Sequence, residues 1–529
     1  AAVMQGKLQL LGGLAAPAAA AFFAPTTTSR CEAHTTLHDA TLRRRLTPIG
    51  RAALLTETET NRSIPTFFLR VNGRLSADQL SAAIDEKFAA CERFQSKVVV
   101  ASNRKDAYFE RLPSFSSRPH HVRPLVRAET AGDYDALRRT MSRLVNAPLG
   151  VPADQPQWEV MVEELPPRAG GTSPETLVVF RVHHALADGV ALGGLMMSLA
   201  DEGEAMFGDM VASALKKKGA QAPAKNRLGR GRRLRTAASR AWRTLSRIAR
   251  LAAWLMAQIL GGPVVLGKYA ALLCSSRRGV FGDPGLEKSV AWSKVDTFRV
   301  QDVKEASRRF GCTINDLAIH CICQAMRGVV SSREWPTGGV PKDLQVIVPV
   351  NLRPLFALLG GKLGEGKLVM KELVQRLQGN TIGVLAVSLP LDAPSRTAAI
   401  RTVRERLGFA KLMPEALVGY LTASFGGFLP LSTQQSFARR TLGKADVAVS
   451  NVMGPPRTIH IAGMEVTQIV GFLPPPPGVS LGVVVSSYRG DFQLTVNSDM
   501  SSAGDARPLL ESIEAELGGV TGRRHALAA

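Results

Sequence analysis

The stretch from residue 210 to residue 282 divides this chain into two halves, because it contains no acidic residue. It carries sixteen lysines and arginines and no aspartate or glutamate. Without it, the formal charge of the chain falls from +22 to +6, with 50 basic against 44 acidic residues. Each half is therefore near neutral, and with 45% hydrophobic residues overall it has the material for a core of its own. We interpret the stretch as a connector between two folded units.

Apolar periodicity predicts that strands and helices alternate on both sides of the connector. We expect strands at 66–71, 95–100, 176–182, 345–350, 383–389, 447–451, 481–487 and 492–496. We expect helices at 76–91, 134–145, 190–200, 303–310, 314–330, 398–407 and 505–517. This alternation is typical of the α/β class, here with two sheet-centred lobes. The predicted units are an N-terminal tail (1–45), a first lobe (46–209), the connector (210–282) and a second lobe (283–529).

The connector has the pattern of a basic amphipathic helix followed by an apolar run. Arg240, Arg243, Arg247 and Arg250 recur at helical spacing, and apolar residues occupy another side of the same helix. The uncharged run 251–267 is marginal as a membrane span, since it has seventeen residues and a Gly-Gly-Pro interruption. We expect residues 216–274 to contact a membrane or lipid-droplet surface. Packing of the apolar part on a folded domain remains the alternative, and nucleic acid is not an expected partner because stacking aromatics are missing.

The N-terminal tail has the composition of a targeting presequence or a membrane anchor. Residues 1–31 contain no acidic residue, and residues 8–24 are uncharged and rich in alanine. The junction Ala21-Phe22-Phe23-Ala24-Pro25 resembles the signal–transit junction of algal plastid precursors. A disordered tail is the other interpretation. The six cysteines are too few for a disulfide framework in a chain of this length.

Two adjacent histidines stand where a predicted buried strand ends. The segment reads His183-His184-Ala-Leu-Ala-Asp188-Gly189. An imidazole there can remove a proton from a hydroxyl near neutral pH. Asp188 can close the local loop by pairing with a cation, and Gly189 allows a turn with positive φ. Taken alone, the pair is equally typical of hydrogen-bonded structural histidines. We expect no metal site, because the other histidines and cysteines show no ligand spacing.

The pattern HHxxxDG after an apolar strand resembles the signature of the CoA-dependent acyltransferase and condensation-domain superfamily. Within it, the chain is similar to the bifunctional wax ester synthase/diacylglycerol acyltransferase family. The further matching blocks are, in chain order, Pro156-Gln-Trp158-Glu, Thr313-Ile-Asn315-Asp316, Val348-Pro-Val-Asn-Leu-Arg353-Pro, Gly379-Asn380 and Ser450-Asn451-Val-Met453-Gly-Pro. The departures are Gln157, Met453 and the long basic connector, and the first two bear on substrate preference.

The resemblance implies an α/β fold of two chloramphenicol-acetyltransferase-like lobes, each a mixed sheet with helices, and a central tunnel between them. It implies that His184 is the general base, and that His183 supports the loop or takes part directly. Asp188 would pair with Arg353 of the other lobe, and Gly189 would permit the turn.

Three further residues are candidates for the wall of the tunnel. Trp158 would line the acyl channel, with a place in the core as the alternative. Asn315 and Asn451 would polarise the carbonyl or organise the tunnel, unless they only cap a helix or form a turn.

The same resemblance implies an O-acyltransferase that uses acyl-CoA as co-substrate, with no other cofactor. The expected acceptors are diacylglycerol, a long-chain alcohol, or both. The expected location is a membrane, at the endoplasmic reticulum or a lipid droplet, with the plastid as alternative. The competing hypothesis is a non-catalytic lipid-binding or membrane-tethering protein on the same fold.

Overall fold

The computed structural model describes residues 43–88, 91–101, 107–125, 133–166, 173–209, 246, 256–257, 260–275, 279–332, 340–353, 377–426 and 429–522. Nearly all of the N-terminal tail lies outside the described residues, and so does the arginine face predicted at 240–250. In the connector, the structure describes a helix over residues 260–274.

The described strands and helices alternate in both halves of the chain. The strands are β1 (Arg43–Arg45), β2 (Thr66–Asn72), β3 (Ser96–Val100), β4 (Ala107–Arg111), β5 (Val122–Pro124), β6 (Trp158–Leu165), β7 (Glu175–Val182), β8 (Lys288–Trp292), β9 (Phe298–Arg299), β10 (Asp343–Asn351), β11 (Ile382–Pro390), β12 (Val447–Met453), β13 (His460–Ile461), β14 (Met464–Phe472), β15 (Leu481–Tyr488) and β16 (Asp491–Asp499). The named helices are α1 (Pro48–Thr56), α2 (Ala77–Phe88), α3 (Tyr134–Leu144), α4 (Gly189–Leu199), α5 (Val300–Arg309), α6 (Ile314–Ser331), α7 (Arg396–Leu412), α8 (Glu415–Gly426), α9 (Leu431–Thr441) and α10 (Ala506–Thr521).

The first lobe is built on a six-stranded mixed sheet with the order β13-β14-β2-β7-β6-β5. All eight residues of β7 are buried, because the strand lies between two neighbours and is covered on both faces. Helices α2 and α4 pack against each other in this lobe. A small sheet, β1-β4-β3, belongs to the same lobe. The loop that carries the two histidines begins where β7 ends, in the middle of the six-stranded sheet.

The second lobe is built on a seven-stranded mixed sheet with the order β11-β10-β12-β15-β16-β8, in which β9 also pairs with β16. Helices α6, α7 and α10 pack together on it and enclose the largest apolar core. Helix α6 begins with a capping box, since Thr313 accepts from the backbone of Asp316 and Asp316 accepts from the backbone of Thr313. This box fixes the position of Asn315 in the first turn.

The lobes exchange strands, which the boundaries predicted from the sequence did not anticipate. Residues 460–472 were assigned to the second lobe, but β14 pairs antiparallel with β2 along the edge of the first sheet. In the other direction, α3 packs against β8 of the second sheet, and Arg138 donates to Asp505 at 2.8 Å. The predicted strands and helices agree with the described elements to within a few residues at each end, and the α/β class with two mixed sheets is confirmed.

The described end of the connector packs on the second lobe along one side of its helix. Lys268 donates to the buried carboxylate of Glu415 at 2.6 Å, and the Tyr269 ring lies 6.4 Å from that of Phe437. Apolar side chains elsewhere on this segment remain exposed by 52 to 64%, and they are Met256, Leu260, Val264 and Leu266. Within the described ranges, no helix has the length and apolar character that crossing a membrane requires.

Candidate active site

Backbone hydrogen bonds hold the two histidines where β7 ends. The N–H of His183 donates to the carbonyl of Gln157 at 2.9 Å, and that of His184 donates to the carbonyl of Ser63 at 2.7 Å. The loop then turns, as the N–H of Leu186 donates to the carbonyl of His183 at 3.0 Å. These bonds fix the backbone of both histidines, so that the contacts of their rings decide what each one can do.

The ring of His184 is oriented by the side-chain amide of Asn380. The amide nitrogen of Asn380 donates to the carbonyls of His184 at 2.6 Å and Ala185 at 3.3 Å, which fixes the amide oxygen on the other side. That oxygen lies 2.8 Å from Nδ1 of His184 and accepts its hydrogen. The lone pair is therefore on Nε2, which is the arrangement a general base needs. Burial lowers the pKa of His184 below its ordinary value, so the neutral ring is favoured.

The ring of His183 is occupied on both sides. Its Nδ1 accepts from the N–H of Ala185 at 3.1 Å, so its hydrogen is on Nε2, 3.3 Å from a carboxylate oxygen of Glu57. Burial alone would raise the pKa of Glu57, but the hydrogen bond to His183 and that from the backbone of Ser63 hold it below its ordinary value. Neither nitrogen of His183 is left to take a proton, which favours the supporting role over direct catalysis.

Asp188 is fully buried and has a partner for each lone pair. It caps α4 by accepting from the N–H groups of Val190 and Ala191 at 3.1 and 3.0 Å, and it accepts from Thr381 at 3.0 Å. Arg353 of the second lobe completes the set with an ion pair at 2.8 Å. Arg353 also donates to the carbonyl of Leu377 at 2.9 Å. The pairing of Asp188 with Arg353 that the resemblance implied is present, and it joins the histidine loop to the second lobe.

The prediction that Gly189 supplies a turn with positive φ is wrong. Gly189 is the first residue of α4 and is absent from the glycines with positive φ. The turn is made by the side chain of Asp188, which caps the helix. A Cβ at Gly189 would meet the side chain of Val452 at 3.6 Å, an ordinary contact. The glycine with positive φ in this neighbourhood is Gly379, at +91°.

Trp158 is a core residue and does not line a channel. Its side chain is 1% exposed, its indole N–H donates to the carbonyl of Phe94 at 2.9 Å, and its ring stacks on that of His121 at 4.4 Å. The core interpretation is therefore the correct one. A β-strand residue beside buried aromatic side chains is expected to pack in this way.

Asn315 and Asn451 lie against each other, with 3.4 Å between the amide nitrogen of Asn451 and the amide oxygen of Asn315. Neither residue caps a helix, because Thr313 caps α6 and Asn451 lies within β12. Val452, the next residue of β12, contacts the start of α4 at Gly189. Because successive residues of a strand point to opposite faces of the sheet, Asn451 faces α6, whereas Val452 faces α4.

Three residues at this site show no direct signal in the sequence. Asn380 appeared only as part of a matching block, and its contact with His184 spans 196 residues of chain. Glu57 and Gly50 lie on or next to α1, a helix that the sequence pattern did not predict. A Cβ at Gly50 would lie 2.8 Å from the carbonyl oxygen of Ala185 and 3.1 Å from the amide nitrogen of Asn380. In the parts of the chain that the structure describes, no three His, Cys, Asp or Glu residues are grouped as a metal site would require.

Two models of one protein family match this chain. The wax ester synthase/diacylglycerol acyltransferase catalytic domain matches residues 53–318, and the C-terminal domain of the same family matches residues 378–520. A probable diacylglycerol O-acyltransferase of Mycobacterium tuberculosis is 26% identical over 366 residues, which are 68% of this chain and 70% of that protein.

Solved structures show the same fold. A wax ester synthase/diacylglycerol acyltransferase from Marinobacter aquaeolei VT8 superposes with a TM-score of 0.53 at 14% identity, over 90% of this chain and all of that one. The first condensation domain of the CDA synthetase gives 0.54 at 17% identity, over 91% and 96% of the two chains. At these identities the likeness shows the two-lobed fold and nothing more. The matched catalytic and C-terminal domains confirm the predicted family, and this chain belongs to the wax ester synthase/diacylglycerol acyltransferase family.

Proposed function

We propose that this acyltransferase moves a fatty acyl group from acyl-CoA to the hydroxyl of diacylglycerol, of a long-chain alcohol, or of both, with His184 as general base. The curated relative named above is described as a diacylglycerol O-acyltransferase, and both substrate classes stand in the family's name. The single observation that supports the role of His184 is its tautomer. The amide oxygen of Asn380 accepts a hydrogen bond from Nδ1–H, and within the described chain no protein group bonds Nε2.

The reaction follows from that lone pair. Nε2 of His184 accepts the proton of the acceptor hydroxyl while its oxygen attacks the thioester carbonyl carbon. The tetrahedral intermediate collapses, its carbon–sulfur bond breaks, and the CoA sulfur leaves with the electron pair. The proton passes from Nε2 to that sulfur, so the products are an ester and free CoA. No acyl-enzyme and no cofactor besides the co-substrate acyl-CoA is required.

Asn315 and Asn451 are the candidates for stabilising the oxygen of the tetrahedral intermediate. Their amides lie 3.4 Å apart, and the resemblance to the family is what suggests this role for them. An amide N–H that points at a developing oxyanion lowers the barrier because it needs no reorientation during the reaction. The central tunnel that would bring the thioester there stays a prediction.

The test is release of CoA from palmitoyl-CoA by purified protein, with diacylglycerol or hexadecanol as acceptor. His184→Ala is expected to lower kcat by at least a thousandfold, since it removes the base and leaves the loop's backbone bonds in place. His120→Ala is the matched control, because His120 is exposed on a loop of the first lobe. Retained activity in His184→Ala would refute the role of the base. Vesicle binding without CoA release by the wild type would instead favour the non-catalytic lipid-binding protein.

We further propose that the connector holds the enzyme on an anionic lipid surface, since both acceptors dissolve in membranes. The exposed Met256, Leu260, Val264 and Leu266 supply apolar side chains, and the sixteen basic residues of 210–282 supply complementary charge. Such a surface exists at the endoplasmic reticulum, at lipid droplets and in plastids. Nucleic acid remains an unexpected partner.

Flotation with vesicles of phosphatidylcholine and phosphatidylserine tests this part. The double variant Leu260→Asp/Val264→Asp is expected to lose most of the bound fraction, because two charges would enter the apolar contact. Leu286→Asp is the matched control, since Leu286 is equally exposed outside the connector. Unchanged binding of the double variant would contradict the connector's role, and binding to DNA but not to vesicles would reverse the choice of partner.

A further inference from the structure

Arg93 is a buried cation beside the active site, and two of its three guanidinium nitrogens have no hydrogen-bond partner among the described residues. It lies in the short helical turn before β3, and only 3% of the residue is exposed. Its Nε and Nη1 atoms are enclosed, and neither has a hydrogen-bond partner in the described structure. The guanidinium fills the space next to Gly379, since a Cβ there would lie 2.8 Å from Cζ of Arg93. Arg93 therefore lies against Gly379, and the next residue, Asn380, bonds the ring of His184.

Within the described structure, the carboxylate that acts on Arg93 is already paired. Arg353 and Asp188 are nearby, but Asp188 is already bonded by Arg353 and three backbone N–H groups. Arg44 adds a further positive charge, and Tyr420 is another ionisable neighbour. Burial and the charges of Arg44 and Arg353 lower the pKa of Arg93 to about 9. Arg93 and Arg353 therefore share the field of one carboxylate, that of Asp188.

Two of these arginines neighbour Phe109. Arg44 is exposed on β1 and is paired in register with Phe109 of β4. The guanidinium of Arg93 lies over the same Phe109 ring, with Cζ 5.0 Å from its centroid. Arg44 and Arg93 thus flank Phe109, with Arg44 at the solvent end and Arg93 at the end next to Gly379.

A buried charge without a partner is costly, and a site of this kind is satisfied when an anion enters. Diacylglycerol and long-chain alcohols carry no charge, whereas the CoA part of an acyl-CoA carries phosphates. We propose that Arg44 and Arg93 form a binding site for the phosphates of acyl-CoA. This assignment rests on the proposed function, which supplies acyl-CoA as the donor. Arginine suits it because its planar fork of donors matches phosphate oxygens.

Two donors that differ only in their phosphates test the site. Initial rates are measured with palmitoyl-CoA and with palmitoyl-pantetheine, which has the same thioester and no phosphate. The measured quantity is kcat/KM for palmitoyl-CoA divided by kcat/KM for palmitoyl-pantetheine. We expect this ratio to fall at least tenfold in Arg93→Met and in Arg44→Met. Arg401→Met is the control, because Arg401 is exposed on α7 of the second lobe, and its ratio should match the wild type.

A binding measurement without turnover separates this site from the reaction. CoA alone is expected to raise the Tm of the wild type, and Arg93→Met is expected to lose that increase. The Tm of the ligand-free variant should not fall, because the substitution removes a buried charge that has no partner. An unchanged donor ratio, or an equal loss with both donors together with a lower Tm, would overturn the proposal. The proposed function fails separately if the wild type transfers no acyl group while CoA still raises its Tm.

Discussion

The two adjacent histidines differ in their hydrogen bonds, and this difference indicates which of them can act as a base. His183 has a partner on each ring nitrogen, whereas His184 donates a hydrogen bond from Nδ1 to Asn380 and keeps a lone pair on Nε2. The sequence could point to His184 only through the family's pattern. The lone pair on Nε2 of His184 is explained by Asn380. Two carbonyls of the histidine loop accept from its amide nitrogen and so fix the orientation of its amide oxygen.

The first prediction concerns the pH dependence of the reaction. Because burial holds the pKa of His184 below 6.5, kcat/KM should stay high at neutral pH and fall with a midpoint below pH 6.5 as the ring becomes protonated. In Asn380→Asp, a carboxylate next to Nδ1 favours the protonated ring. The midpoint should therefore move up by about one pH unit or more, and activity at pH 6 should fall most.

The pH–rate profile of both proteins, measured with palmitoyl-CoA, checks this expectation. Asn72→Asp makes the same chemical change at the exposed end of β2 and should leave the midpoint in place. A midpoint that is identical in wild type and Asn380→Asp would contradict the role given to Asn380.

Helix α1 and the residue after it contact the surroundings of both histidines. Near its start, Gly50 lies against Ala185 and Asn380, and just after its end, Glu57 binds His183. Arg51 donates to the carbonyls of Ala423 and Ser424, which ties the same helix to the last turn of α8. The apolar pattern did not predict α1, because its nine residues are mostly half-buried and form no clear apolar stripe.

The second prediction tests the close approach of α1. In Gly50→Ala, the new Cβ would press on the Ala185 carbonyl and the Asn380 amide, which displaces the group that orients His184. We expect kcat to fall at least tenfold while KM for palmitoyl-CoA changes less, because displaced catalytic groups reduce the rate steeply. Steady-state kinetics and circular dichroism are the measurements.

Gly328→Ala is the matched control for this substitution. Gly328 lies in α6, and a Cβ there meets no atom within 4 Å. This variant should keep full activity and gain about 1 kcal/mol in the free energy of unfolding, since alanine favours a helix interior. Normal kcat in Gly50→Ala would mean that the helix moves aside without consequence, contrary to the expectation.

For the whole molecule, the sequence predicts the class, the two sheets and most of the long elements, since these depend on local periodicity. The strands at 176–182 and 481–487 are continuous apolar runs and were found within one residue of β7 and β15. Which strand pairs with the edge of a sheet depends on residues far apart in the chain, so the local sequence pattern does not show it. Residues 460–472 therefore read as part of the second lobe, although their strands complete the first.

The last prediction follows from this exchange of strands between the lobes. We expect that the lobes do not fold independently. A fragment of residues 43–209 lacks β14 and leaves the edge of β2 open, which invites aggregation. It also loses the buried side chains of Val466, Val470 and Phe472, each contributing about 1.5–3 kcal/mol by burial. Expressed alone, the fragment should be insoluble or unfold without cooperativity, and co-expression with residues 210–529 should recover CoA release. A soluble fragment with a cooperative thermal transition would show that β14 is dispensable for the first lobe.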